Sequence, residues 1–224
     1  MLKAVIFDFN GVLVDDEPIH FELFRKVLAE EGLTLTKEMY LERYMGMDDR
    51  GCFRAVFEDN GRQLSDAQVP HLIRRKAAYY RDTIAERIVI FPGVKRLVPE
   101  LAARFPLAVA SGALRAEIEM ILQVAGLKDC FQVIASAEDV DHGKPHPEVF
   151  IKALRGLNEK QREPIRASEC LVIEDTKDGL AAAHRAGIKC LAVTNSYPAA
   201  ELEAEAVVDS LEEVTIPSLE AIFK

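Results

Sequence analysis

Ala4-Val5-Ile6-Phe7-Asp8-Phe9-Asn10-Gly11 is the first apolar run of the chain, and an acid interrupts it near its end. The run is apolar at consecutive positions, as in a parallel strand covered on both faces by helices. It is read as a strand over residues 4–9. Similar runs recur at Leu107–Ala110, Gln132–Ala135, Cys170–Ile173, Lys189–Val193 and Ala206–Val208. Between them, helical periodicity covers Val94–Arg104, Ala113–Ala125, Pro147–Gly156 and Gly179–Ala186, with Gly126 and Gly187 as stop signals for two of these. Strand and helix in alternation predict an α/β fold, a doubly wound parallel sheet with a Rossmann-like core.

The alternation lapses from Asp16 to Ile84. There only helical periodicity is found, carried by Phe21, Phe24, Val27, Leu28, Met39, Leu41, Leu72, Ile73 and Tyr79. The expected organisation is a core domain of residues 1–15 and 85–224, with a mobile helical cap domain of residues 16–84 inserted over the strand ends. The chain's 224 residues are enough for one sizeable core plus such an insert.

Composition narrows the function. Apolar residues make up 49% and charged residues 29%, the balance of a globular protein rather than a disordered one. A formal charge of -9 argues against a nucleic-acid partner. No apolar run reaches the roughly 18 residues of a membrane span, so no membrane association is expected. Cys52, Cys130, Cys170 and Cys190 lack C-x-x-C spacing and read as free thiols of a cytoplasmic protein. A monomer is the default expectation. No G-x-G-x-x-G or G-x-x-x-x-G-K-[ST] pattern follows a candidate strand, so no nucleotide cofactor is expected.

Ligands of parallel α/β sheets bind beyond the carboxyl ends of the strands. Those ends supply Asp8 and Asn10 after the first strand and Ser111-Gly112 after the second. Lys144 follows the third, and Glu174-Asp175 the fourth. Clustered carboxylates call for a hard cation such as Mg²⁺. With a metal and a lysine neutralising phosphoryl oxygens, a carboxylate can attack phosphorus, while a hydroxyl and backbone N–H groups hold the remaining oxygens. Singly, each residue has a plainer reading: Asp8 as a turn former, Ser111 and Glu174-Asp175 as helix caps, Lys144 as a solvated loop charge. Their conjunction at four strand ends favours phosphoryl transfer.

Four segments, Val5-Ile6-Phe7-Asp8-Phe9-Asn10-Gly11-Val12-Leu13-Val14-Asp15, Val109-Ala110-Ser111-Gly112, Gly143-Lys144-Pro145-His146-Pro147 and Ile173-Glu174-Asp175-Thr176-Lys177-Asp178-Gly179, resemble the four motifs of the haloacid dehalogenase superfamily. The order and spacing are closest to its β-phosphoglucomutase-like phosphatases, which carry a helical cap after the first motif. The resemblance implies that Asp8 is a nucleophile forming an aspartyl-phosphate. It implies Mg²⁺ held by Asp8, the Asn10 backbone carbonyl, Asp175 and Glu174, the last directly or through water. It gives Ser111, Gly112 and Lys144 to the phosphoryl group, and His20, Arg50 and Lys76 of the cap to the substrate. Hydrolytic dehalogenases, phosphonate hydrolases and cation pumps fit these residues less well. A signalling receiver domain would be about half as long and lack the helical insert.

One position departs from the pattern. Phosphatases and mutases of this kind carry Asp where this chain has Asn10, and that Asp moves protons to and from the reacting oxygens. The substitution is introduced or natural, with Asp16, Glu17 and His20 as the nearest substitute bases, or is reversed by deamidation at Asn10-Gly11. The expected activity is hydrolysis of a small phosphorylated metabolite such as a sugar phosphate. The alternatives are a phosphosugar mutase and a catalytically weak phosphate-ester binding or regulatory protein.

Overall fold

The computed structural model describes residues 1–224, the side chains of 84–86 aside. In chain order the elements are β1 (Ala4–Phe7), α1 (Glu17–Glu30), α2 (Lys37–Arg43), α3 (Asp49–Asp59), α4 (Val69–Arg87), α5 (Val94–Ala102), β2 (Leu107–Ala110), α6 (Arg115–Ala125), β3 (Val133–Ala135), α7 (Glu148–Asn158), β4 (Cys170–Glu174), α8 (Lys177–Arg185), β5 (Lys189–Val193), β6 (Ala206–Val208) and α9 (Ile216–Ala221), with short 3₁₀ turns between some of them. The chain divides into two compact units, one of residues 1–15 and 89–224, the other of residues 16–88. The expected break at 84 falls among residues whose side chains lie outside the described set. The backbone of α4 continues helical to Arg87.

In the first unit the six strands lie in the order β3-β2-β1-β4-β5-β6, and all neighbours are parallel. Ile6 of β1 faces Ala108 on one side and Val172 on the other. From β1 the chain builds outward first to β2 and β3, then to β4, β5 and β6. The reversal leaves a crevice at the carboxyl end of β1 and β4. One sheet face, with Ala4, Ile6, Ala108, Val172 and Ala192, is covered by Val149, Phe150, Ala153 and Leu157 of α7 and by Leu180 and Ala183 of α8. Small residues on the strands let these helices approach closely. Truncating a filled position such as Phe150 to Ala removes about 3–5 kcal/mol of packing.

The expected strands are all present, three with the expected ends and three shifted at one end. β1 stops at Phe7 rather than Phe9. The Asp8 N–H still bonds to the Ile173 carbonyl (2.9 Å), but past it the chain turns back, the Gly11 N–H reaching the Val14 carbonyl at 2.9 Å. α8 begins at Lys177, earlier than the expected Gly179, because the Thr176 hydroxyl caps it by accepting from the Gly179 N–H at 3.1 Å. Gly126 and Gly187 both take positive φ at helix ends, as their type allows.

The second unit is helical and has its own core, including Phe24, Val27, Leu28, Tyr40, Phe53, Phe57 and Leu72. Phe24 and Phe53 meet edge to face with centroids 5.1 Å apart. Leu41 is an exception to the expected apolar set. In the seven-residue α2 it is Tyr40 that turns inward, and Leu41 is 47% exposed. No helix among the described residues is long and apolar enough to cross a membrane.

Candidate active site

Asp8 emerges where β1 ends and Glu174 closes the adjacent β4, so sheet register alone brings two carboxylates together. Ser111 follows β2 on the other side of β1, its N–H held by the Ala135 carbonyl at 2.9 Å. The Lys144 ammonium, delivered by the loop before α7, donates to Asp8 Oδ1 at 2.6 Å and to Glu174 Oε1 at 2.5 Å. Its side chain is 14% exposed, which rules out a solvated loop charge. Beyond it the Lys144–Pro145 peptide is cis.

Glu174 is saturated. Its Oε2 accepts from the Asp175 N–H (2.8 Å), the Thr176 N–H (2.7 Å) and the Thr176 hydroxyl (2.9 Å), while Oε1 holds Lys144. It therefore orients Lys144 and the following turn. Asp175 is different. One carboxylate oxygen accepts from the Ser196 hydroxyl, and the other, Oδ1, is buried with no hydrogen-bond partner among the described residues. A buried carboxylate oxygen without a donor is costly unless something else meets it.

Ligand oxygens of Asp8, Glu174 and Asp175 all lie within 4.8 Å of one another. One ammonium faces three buried carboxylates. Burial, reinforced by the Glu174 charge and only partly offset by Lys144, pushes the Asp8 carboxyl up to about 7. Burial and the neighbouring Glu174 and Asp8 carboxylates raise Asp175 well above its ordinary value. Lys144 moves upward too, since its two carboxylate partners outweigh its burial. An all-oxygen donor set with an orphaned carboxylate oxygen fits a hard divalent cation.

Two glycines make the arrangement possible. A Cβ on Gly11, whose φ is +80°, would overlap the Asp175 carboxylate, and one on Gly179 would overlap that of Glu174. Asn10 sits in the Asp8 loop, its side-chain oxygen accepting from the Ser111 hydroxyl at 3.4 Å. That hydroxyl also accepts from the Ala113 N–H at 3.1 Å, and Gly112 is exposed in the bend between them.

Of the sequence candidates, Asp8, Asn10, Ser111, Lys144, Glu174 and Asp175 thus converge at one sheet edge. In the helical unit, His20 and Lys76 are paired, with Nζ 2.7 Å from His20 Nδ1. Lys76 is wholly buried and also bonds Asp49 at 2.5 Å, so it is no solvated helix charge. Arg50 is exposed in the first turn of α3. The substitute bases are engaged within that unit: Asp16 with His20 (3.1 Å) and the Tyr80 hydroxyl, Glu17 with the Tyr40 hydroxyl (2.5 Å).

The end of β5 adds residues that motif reading missed. Ser196 holds Asp175, and the Asn195 side chain donates to the Gly11 carbonyl at 2.6 Å. The signal was available, since both lie just beyond a strand read from sequence.

Comparison with known proteins places the chain in a family. The model of the haloacid dehalogenase-like hydrolase family matches residues 5–193. Protein CbbY of Rhodobacter capsulatus is 33% identical over 206 residues, 88% of this chain and 87% of that protein. A phosphorylated carbohydrates phosphatase of Thermotoga maritima is 30% identical, covering 84% of this chain and 83% of the relative. Among solved structures, an Asp-to-Asn variant of CbbY from Rhodobacter sphaeroides, in complex with xylulose-(1,5)bisphosphate, is 26% identical with a TM-score of 0.83, covering 95% of this chain and 96% of that one. The Asp8 loop, Ser111, Lys144 and the Glu174-Asp175 pair all lie within the span matched by the family model, and the chain belongs to the haloacid dehalogenase-like hydrolases.

Proposed function

We propose that this chain is a Mg²⁺-dependent phosphohydrolase of a small phosphorylated metabolite, a sugar phosphate being the favoured class, with Asp8 as nucleophile. The observation that carries the reading is the group of buried Asp8, Glu174 and Asp175 around Lys144, in which Asp175 Oδ1 has no partner among the described residues. The phosphatase named for phosphorylated carbohydrates in Thermotoga maritima supports the substrate class.

Asp8, Asp175 and the Asn10 backbone carbonyl would hold the cation, with Glu174 bracing Lys144 beside them. Bound Mg²⁺ supplies charge neutralisation for the phosphoryl oxygens. Lys144 and Ser111 orient the same group. The Asp8 carboxylate forms a bond to phosphorus as the ester P–O bond breaks, and the electron pair leaves on the substrate oxygen. Water then attacks the aspartyl-phosphate, releasing phosphate and restoring Asp8. The departing oxygen needs a proton and the attacking water must lose one. The Asn10 amide does neither, and loss of such general acid–base help costs about 10²–10⁴-fold.

Asn10 also supports a second reading, a protein that binds phosphate esters and turns them over slowly or not at all. A mutase asks more still of this position, since it needs proton transfer in both directions. A panel of phosphate esters assayed with Mg²⁺ on this chain and on Asn10→Asp separates these readings. Hydrolysis that rises with Asn10→Asp supports the phosphohydrolase. Binding by both proteins with phosphate release by neither overturns it.

A further inference from the structure

We propose that His142, His146 and Glu148 form a second cation site, suited to a borderline transition ion such as Zn²⁺ rather than to Mg²⁺. The three flank Lys144 in the stretch His142-Gly143-Lys144-Pro145-His146-Pro147-Glu148, but none belongs to the buried carboxylate group. Their donor atoms lie within 4.8 Å of one another. His142 Nδ1 is 3.5 Å and His146 Nδ1 3.9 Å from the same oxygen, Glu148 Oε2, and the ring centroids are 4.8 Å apart.

Those spacings are close to what a tetrahedral ion needs. Zn–N and Zn–O bonds of roughly 2.0–2.2 Å put neighbouring donors about 3.3–3.5 Å apart. The contacts to Glu148 need closure of up to about half an ångström and the two histidine donors up to about 1.5 Å, and both imidazoles have room to turn, with side chains 70% and 52% exposed. The carboxylate is already aimed. Glu148 Oε2 accepts from the N–H groups of Asp141 (3.2 Å) and His142 (3.1 Å), and Oε1 takes the Lys152 ammonium at 2.7 Å. Such outer partners fix a ligand's direction before the ion arrives.

Two imidazoles with one carboxylate favour Zn²⁺, Ni²⁺ or Cu²⁺, whereas oxygen-only groups favour Mg²⁺. The two clusters therefore differ in the ion they select. An ion here would tie the loop carrying Lys144 to the first residue of α7, leaving a fourth position for water or an outside ligand. The other mixed cluster, His184, Cys190 and Glu205, is a weaker candidate, because burial pushes the Cys190 thiol well up and disfavours the thiolate.

The test titrates Zn²⁺ into the full chain in excess Mg²⁺, following bound zinc and the histidine ring resonances by NMR. One ion per chain is expected, shifting the His142 and His146 rings and leaving those of His20, His71 and His184 in place. His142→Ala, His146→Ala and Glu148→Gln should each weaken binding at least about tenfold, while His184→Ala leaves it unchanged. Unchanged affinity in both His142→Ala and His146→Ala overturns the proposal. So does zinc that Mg²⁺ displaces competitively, or that is lost in His184→Ala.

Discussion

Withdrawing Mg²⁺ while varying pH gives a direct test of the buried carboxylate group. In the metal-free protein Asp8 titrates at about 7, against an ordinary value of 3.8, chiefly because it is buried. A raised acid holds its proton in the folded state at pH values where the unfolded chain has released it, so stability falls as pH rises through that window. The window runs from 3.8 to about 7, some 3.2 pH units. At roughly 1.4 kcal/mol per unit this amounts to about 4 kcal/mol by neutrality. For a chain of this size each kcal/mol moves Tm by about 2–4 °C. Asp175 is shifted in the same direction. A cation binds the deprotonated carboxylates, so it competes with protons below the window's upper end and restores stability above it.

The expected result is a Mg²⁺-induced rise in Tm that is small near pH 5 and reaches about 10 °C near pH 8. Taking the difference between melts with and without Mg²⁺ cancels groups outside the site, such as His20, whose net upward shift also favours the acid side. Asp8→Asn should largely flatten the pH dependence of that difference. A Mg²⁺ increment independent of pH in the parent chain, or one with unchanged slope in Asp8→Asn, would refute the reasoning.

Asp175→Asn should raise the melting temperature of the metal-free protein by relieving a buried carboxylate, and should abolish the Mg²⁺ increment, both read by thermal denaturation. Gly11→Ala forces a side chain into positive φ and into the Asp175 carboxylate. A loss of about 1–3 kcal/mol in denaturant titration is expected, together with weaker Mg²⁺ binding. Ser196→Ala removes the donor to Asp175. Isothermal titration should show Mg²⁺ affinity lowered by about tenfold or more with little change in fold.

The sheet could be read from sequence because its central strands, β1, β2 and β4, are buried at every residue. Residues 107–110 and 189–193 are apolar at almost every position, and burial of both faces requires that. Strand ends were less legible. Whether β1 stops at Phe7 or Phe9 depends on the hydrogen bonds of the Asp8 loop, which local hydrophobicity does not encode. The same limit applies to Leu41, since a short helix offers two adjacent apolar residues and tertiary packing picks Tyr40. At the site, Asp8, Lys144 and Asp175 were legible because charge at successive strand ends is improbable without a ligand. Ser196 was passed over although it lies just beyond β5, because a loop hydroxyl looks like any other serine until it is seen to donate to Asp175. Nor could spacing reveal that Glu174 is saturated by its own turn and by Lys144.

The central place of β1 carries a consequence for biosynthesis. It leaves the ribosome before either of its partners, residues 107–110 and 170–174. The helical unit, whose core lies within residues 21–79, can condense while β1 still waits for a neighbour. Asp8 and Asp175 are separated by most of the polypeptide, and the loop between them is closed only when β4 docks. No truncated product of translation lacking that strand can assemble the carboxylate group, so an incomplete chain carries Asp8 without the partners that surround it.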